Sequence, residues 1–150
     1  MKRIRFTKEG YENLKQEYDE LLEKRPSAVD DLKKARELGD LSENGYYRAA
    51  RAKLSWVDAR LRRLTGILNS AMVVMDFGSS VIGIGHTITV SDGKKELLYH
   101  IVGDLEANPK EDKISLLSPI GRALAGKHVG DEVTIVIPAG TITYRIIKIS

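Results

Sequence analysis

The chain has 150 residues, is 42% hydrophobic, and carries a formal net charge of +3 with no cysteine. These values suit one compact domain or two small ones with a buried core, and they exclude wholesale disorder, disulfides, thiolate chemistry and cysteine-type zinc sites. No apolar run nears the roughly 20 residues that span a bilayer, and the basic start Met-Lys-Arg-Ile-Arg-Phe-Thr lacks the apolar stretch of a signal peptide. A cytoplasmic protein with no membrane association is expected. The charge is uneven: residues 1–70 hold 16 Lys/Arg against 12 Asp/Glu, and residues 71–150 hold 8 against 9. The basic half either meets an anionic partner or is the charged exterior of a coiled coil.

In chain order, the first predicted element is a long helix with an apolar seam at alternating steps of three and four: Tyr11, Leu14, Tyr18, Leu21, Arg25, Ala28, Leu32, Ala35. Such steps put one residue per turn on a single stripe. Pro26 lacks an N–H and crowds the preceding turn, so a kink or a restart is expected there. A short break follows at Gly39-Asp40-Leu41-Ser42. A second helix then carries its own seam at Tyr47, Ala50, Leu54, Val57, Leu61, Leu64, Leu68 and Ala71. Two stripes joined by so short a break close as an antiparallel coiled-coil hairpin. Each arm of about 28 residues is roughly 42 Å long at 1.5 Å per residue. Near the bend the seam shrinks to Ala35 and Ala50, which makes a thin tip.

After Ala71 the period changes. Val73–Met75, Thr87–Val90, Leu97–Val102, Val133–Ile137 and Ile142–Ile147 read as strands rich in β-branched residues. Ser91-Asp92-Gly93-Lys94 reads as a hairpin turn, and Pro119–Ala125 as a short helix following Ser118. The fold class is therefore α+β. A coiled-coil domain over residues 1–75, with an acidic tip at 39–44, precedes a small domain over 76–150, the boundary lying near Asp76–Ser80.

The tip carboxylates, Asp40 and Glu43, admit two readings. Asp-Leu-Ser-Glu has the spacing of a capping box, and either acid suits a helix N-terminus. Two acids in a tight turn also suit Mg²⁺, which takes one or two carboxylates along with water and phosphate oxygens. Two carboxylates hold the ion poorly by themselves, so such a site is composite and a partner completes it. Arg48 and Arg51 share a helical face with Asn44, either as a basic track for RNA phosphates or as a solvated surface. Lys33, Lys34, Arg36, Arg60, Arg62 and Arg63 read as general surface charge. His86, His100 and His128 lack metal-ligand spacing, and Gly83-Ile84-Gly85 lacks the third glycine of a dinucleotide loop.

Glu-Leu-Gly-Asp-Leu-Ser-Glu-Asn at 37–44, with Ala49-Ala50-Arg51, resembles the tip signature of the GreA/GreB transcript-cleavage factors of bacterial RNA polymerase. Ile114–Leu124 and Gly126–Val133 resemble the C-terminal signature of the same family. Together with Arg25-Pro26 the likeness runs nearly the whole chain in order. It implies an FKBP-like C-terminal domain that docks on RNA polymerase and a coiled coil that enters the polymerase secondary channel. It further implies that the protein is not itself an enzyme. Asp40 and Glu43 would help hold a Mg²⁺ shared with the polymerase, with no cofactor held stably by the chain alone. This stimulates the polymerase's own cleavage of the backtracked RNA 3′ end and rescues arrested complexes.

By the same resemblance Ser42 and Asn44 support the tip, Arg51 contacts polymerase or RNA, and Ser118, Pro119, Ile120 and Gly121 form the docking loop. Those last four residues otherwise simply start a helix. A monomer is expected. A prolyl isomerase pocket needs aromatic walls, and only Tyr99 and Tyr144 follow Gly78, so that activity is rejected. The alternative is a channel-binding inhibitor without cleavage stimulation, a reading disfavoured because the tip lacks the heavier acidity of the family's inhibitory paralogue.

Overall fold

The computed structural model describes residues 3–38, 44–74 and 80–150. The helices are α1 (Lys8–Arg36), α2 (Gly45–Asn69) and α3 (Pro119–Leu124). The strands are β1 (Ile4–Phe6), β2 (Ala71–Val73), β3 (Thr87–Ser91), β4 (Glu96–Val102), β5 (Lys113–Ser115), β6 (Glu132–Ile137) and β7 (Gly140–Ile149), with a 3₁₀ turn at Pro109–Glu111. The chain forms two compact units, one of Glu12–Ser70 and one of Met1–Tyr11 together with Ala71–Ser150. The N-terminal strand thus belongs with the C-terminal unit, which the expected division into 1–75 and 76–150 does not separate out.

In the helical unit the two seams close on each other. Leu21, Val57, Leu61 and Leu64 form its buried cluster, with Leu14 and Tyr18 packed against it. Burying each such side chain contributes about 1.5–3 kcal/mol. The pairing is antiparallel, because partners run in opposite chain directions: Glu17 with Arg60, Asp31 with Lys53, and Ala35 with Asn44. Ala28 and Ala35 are buried at the interface. Two expectations are corrected here. Of the kink or restart expected at Pro26, the restart does not occur: α1 is one helix from Lys8 to Arg36. Ala71 leaves the seam and enters β2, because α2 ends at Ser70, whose N–H donates to the Gly66, Ile67 and Leu68 carbonyls.

Arg25, although in seam register, is exposed. Its guanidinium makes a two-pronged contact with Asp58, Nε to Oδ1 at 2.6 Å and the second prong at 3.2 Å. Snorkelling of this kind covers the seam with the side chain's stem while its charge stays in water. The Arg60–Glu17 fork, at 2.7 and 3.0 Å, repeats the device further along the hairpin.

In the other unit a five-stranded sheet has the order β5-β4-β3-β7-β6. All neighbours are antiparallel except β4 with β5. Each predicted strand of this sheet is present, and the expected turn at 91–94 is closed by Asp92, whose Oδ1 accepts from the Lys94 and Lys95 N–H groups at 2.8 and 2.9 Å. Those bonds hold the Asp92 carboxyl below its usual range. β3 alternates half-buried with buried residues, and along β7 the buried Tyr144 and Ile146 alternate with exposed neighbours. The core gathers Ile88, Val90, Ile101, Leu124, Val133, Ile135, Tyr144 and Ile146, with Ile82 and Ile84 from the preceding segment.

Two short elements escape the periodicity argument. β1 pairs in parallel with β2 in a separate two-stranded sheet, Ile4 facing Ala71 and Phe6 facing Val73. The 103–106 loop clasps β1 through two carboxylates. Asp104 accepts from the Arg5 N–H and guanidinium, each at 2.8 Å. Glu106 accepts from the N–H groups of Thr7 and Gly103, also at 2.8 Å, and from the Thr7 hydroxyl. Thr7 in turn opens α1, its Oγ1 accepting from the Gly10 N–H at 3.1 Å. A Cβ at Gly103 would strike the Arg5 carbonyl and Phe6 Cα, so this close crossing requires glycine.

Candidate functional site: the hairpin tip and the start of α3

Asp40, Ser42 and Glu43 lie outside the described residues. The described chain reaches Leu38 on one arm and resumes at Asn44 on the other. Asn44 is the N-cap of α2, and its Oδ1 accepts from the Tyr47 N–H at 3.1 Å. The same side chain reaches across the hairpin, Nδ2 donating to the Ala35 carbonyl at 2.7 Å. The Arg36 guanidinium lies over the Tyr47 ring, 5.9 Å from its centroid, a second link between the two arms.

Arg48 and Arg51 are both exposed, one and two turns into α2 on the side of Asn44. The small residues Ala35, Ala49 and Ala50 leave an open cleft of about 390 Å³, lined also by Leu38 and Tyr46 and by the charged Asp31, Lys34 and Lys53. Leu38 and Tyr46 are 68% and 78% exposed, so the charged pairs of the shaft give way to an apolar pair beside the tip. Composition foretold the small floor of this cleft. The apolar rim could have been read from the register of Leu38 and Tyr46, seven residues beyond Asp31 and seven before Lys53.

The second candidate, residues 118–121, is brought together as the start of α3. Ser118 is the N-cap, its Oγ accepting from the Gly121 N–H at 3.1 Å and donating to the Ser115 carbonyl at 2.7 Å. Pro119 occupies the first turn, where its missing N–H costs nothing. Gly121 is buried against Ser115: a Cβ there would overlap the Ser115 carbonyl. Pro119 is exposed and Ile120 half-buried. Ser115 was not anticipated; it organises this turn, its Oγ also accepting from the Leu117 N–H at 3.0 Å. The two tyrosines considered for an isomerase pocket instead pack edge to face, with centroids 6.2 Å apart. Burial, then the hydrogen bond to Tyr144, raises the Tyr99 phenol above its usual range. Among the described residues no three His, Asp or Glu side chains gather as a metal site.

Fold and site together define a protein of the helical-hairpin-plus-sheet class, whose acidic sequence is bracketed by the two arms of the hairpin. A family model described as the N-terminal domain of transcription elongation factors matches residues 4–73, and one described as the GreA/GreB C-terminal domain matches residues 78–150. The chain belongs to the GreA/GreB family of transcription elongation factors. It is 43% identical to the transcription elongation factor GreA of Thermodesulfovibrio yellowstonii, over 99% of this chain and 97% of that one. It is 42% identical to GreA of Bacillus subtilis, over 97% and 95%. Among solved structures, GreA factor homolog 1 (Gfh1) of Thermus thermophilus is 30% identical with a TM-score of 0.47, covering 99% of both chains.

Proposed function

We propose that this protein binds RNA polymerase, passes its hairpin into the secondary channel, and stimulates the polymerase's own cleavage of backtracked RNA 3′ ends. The observation that carries this reading is an antiparallel helical hairpin whose arms end at Leu38 and Asn44, on either side of Asp40 and Glu43. At 1.5 Å per residue, the 29 residues of α1 and 25 of α2 give arms of roughly 44 and 38 Å. Acids carried at the end of such a rod are suited to completing a site inside another macromolecule.

The donor set fits a hard divalent cation. Two carboxylates supply oxygen ligands of the kind Mg²⁺ takes, leaving further positions for polymerase groups, water and phosphate. Asp40 and Glu43 would hold that ion jointly with the polymerase, and an ion so held would supply activation of the attacking water, one half of a two-metal phosphoryl transfer. Arg48 and Arg51 would meet RNA phosphates or the channel wall, and Ser118–Gly121 would dock at the polymerase surface. The chain would act as a cytoplasmic monomer without catalysing the cleavage alone.

An arrested elongation complex with labelled RNA tests this. Adding the protein should yield shortened transcripts that extend again. Asp40→Asn and Glu43→Gln should each retain polymerase binding and lower the cleavage rate at least tenfold, or about 1.4 kcal/mol of barrier. Binding without cleavage by the unaltered protein would instead mark a channel-blocking inhibitor.

A further inference from the structure

We propose that the cleft between the two arms binds a free nucleotide, its flat base against Tyr46 and its phosphates at Lys53 and Lys34. This inference goes beyond the polymerase reading and stands without it. The cleft lies wholly within the helical unit, between the end of α1 and the first half of α2, and its volume is about 390 Å³. Small-molecule pockets run from roughly 300 to 1,000 Å³, so this one suits a single base with its sugar rather than a run of residues. Ala35, Ala49 and Ala50 make its floor, and no large side chain rises from them to fill it. Leu38 and Tyr46 also line it, and both are largely exposed, an apolar pair that nothing in the unit covers.

Each part of a nucleotide finds a matching group. The Tyr46 ring offers a π-face of the kind on which bases stack, and Leu38 with the alanine methyls adds apolar contact. The Asp31 carboxylate is an acceptor, as the hydroxyls of a ribose require. Lys34 and Lys53 are the two cations of the lining. Their present partners are acids on α1, Asp30 at 2.9 Å from Lys34 Nζ and Asp31 at 3.8 Å from Lys53 Nζ, in pairs that are half or more exposed. Exposed pairs of this kind hold weakly, so either ammonium can turn to a phosphate. The charge of the two arms also sets an orientation. α2 carries six Lys or Arg against one acid, Asp58, whereas the acids around Lys34, namely Asp30, Asp31 and Glu37, belong to α1 or follow it directly. The phosphates therefore face α2 and the sugar faces α1.

Titration of the full chain with ATP tests this, followed by backbone amide chemical shifts and by the fluorescence of Trp56, the only tryptophan, one turn beyond Lys53. Shifts should saturate and concentrate at Ala35, Ala49, Ala50 and Lys53. Tyr46→Ala should weaken binding roughly tenfold, as expected for the loss of one stacked base, whereas Tyr46→Phe keeps the ring and should bind within about twofold of the unaltered protein. Lys53→Gln should weaken binding roughly threefold and flatten its dependence on salt. Ala49→Leu raises the floor and should abolish binding while the melting temperature holds, because Ala49 is exposed. Inorganic triphosphate should bind at least about fivefold more weakly than ATP, since it lacks the base. Equal binding of the two would reduce the effect to attraction by a basic surface and overturn the proposal. So would an absence of saturable shifts with ATP, or shifts that Tyr46→Ala and Ala49→Leu leave unchanged. Binding of a single-stranded oligoadenylate at the same residues, without binding of ATP, would assign the cleft to an RNA end and remove the free nucleotide.

Discussion

At the scale of single residues, the candidate sites are built from side chains that satisfy backbone ends. Asn44 serves α2 and α1 together, and Ser118 serves α3 and the turn before it. The short motif around Ser118 was legible because Ser-Pro followed by an apolar run is a helix start. Gly121 was legible only as part of a family signature, since the close approach to Ser115 depends on a turn that brings the two backbones together. These two positions give different expectations. Ser118→Ala should destabilise the protein by about 1 kcal/mol, the usual cost of a lost N-cap. Gly121→Ala should cost more, about 1–3 kcal/mol, because its methyl group meets backbone that must move. Chemical denaturation of both variants checks the order, and an unaffected Gly121→Ala would contradict the packing described for α3.

At the scale of elements, the hairpin follows from its stripes, and its electrostatics follow from antiparallel register. Glu17 and Arg60 stand 43 residues apart and Arg25 and Asp58 stand 33 apart, distances no local pattern reveals until the two seams are aligned. The hydrogen bond from Arg25 holds the Asp58 carboxyl below its ordinary value of 3.8. A carboxyl depressed in the folded state stabilises above its unfolded value and loses that contribution as pH falls through the folded value. Thermal melts of the full chain should therefore show Asp58→Asn below the unaltered protein near neutrality, with the gap closing under strongly acid conditions. High salt should also narrow the gap, since both partners are solvent-accessible. A gap independent of pH would show that Asp58 acts by packing instead. Pro26 teaches the complementary point. The register on either side of it holds α1 together through the partner helix, and tertiary packing overrides the local tendency to break.

At the scale of the whole molecule, the least expected feature is that the chain's beginning is built into the unit formed by its second half. Asp104 and Glu106 hold β1 across 99 residues of sequence. Glu106→Ala would leave the Thr7 and Gly103 N–H groups and the Thr7 hydroxyl without their acceptor. Each half-buried group so orphaned costs about 1–3 kcal/mol when water cannot replace the partner, so a loss of a few kcal/mol is expected. Hydrogen exchange should rise at Thr7 and Gly103 while protection at Leu61 and Leu64, in the helical unit, stays unchanged. Equal loosening of both regions would contradict a clasp confined to its own unit.

The order of residues alone determined the hairpin, the four β-branched strands β3, β4, β6 and β7, the turn at Asp92 and the position of the acidic segment. Each rests on periodicity or spacing within a few turns of chain, where side-chain direction is set by the local backbone. Tertiary structure alone decided the β1–β2 pair, the Asp104 and Glu106 clasp, the cleft beneath Leu38 and Tyr46, and the cross-hairpin hand of Asn44. Those features bring together groups distant in sequence or on opposing helices, so their energies exist only after the chain has closed on itself.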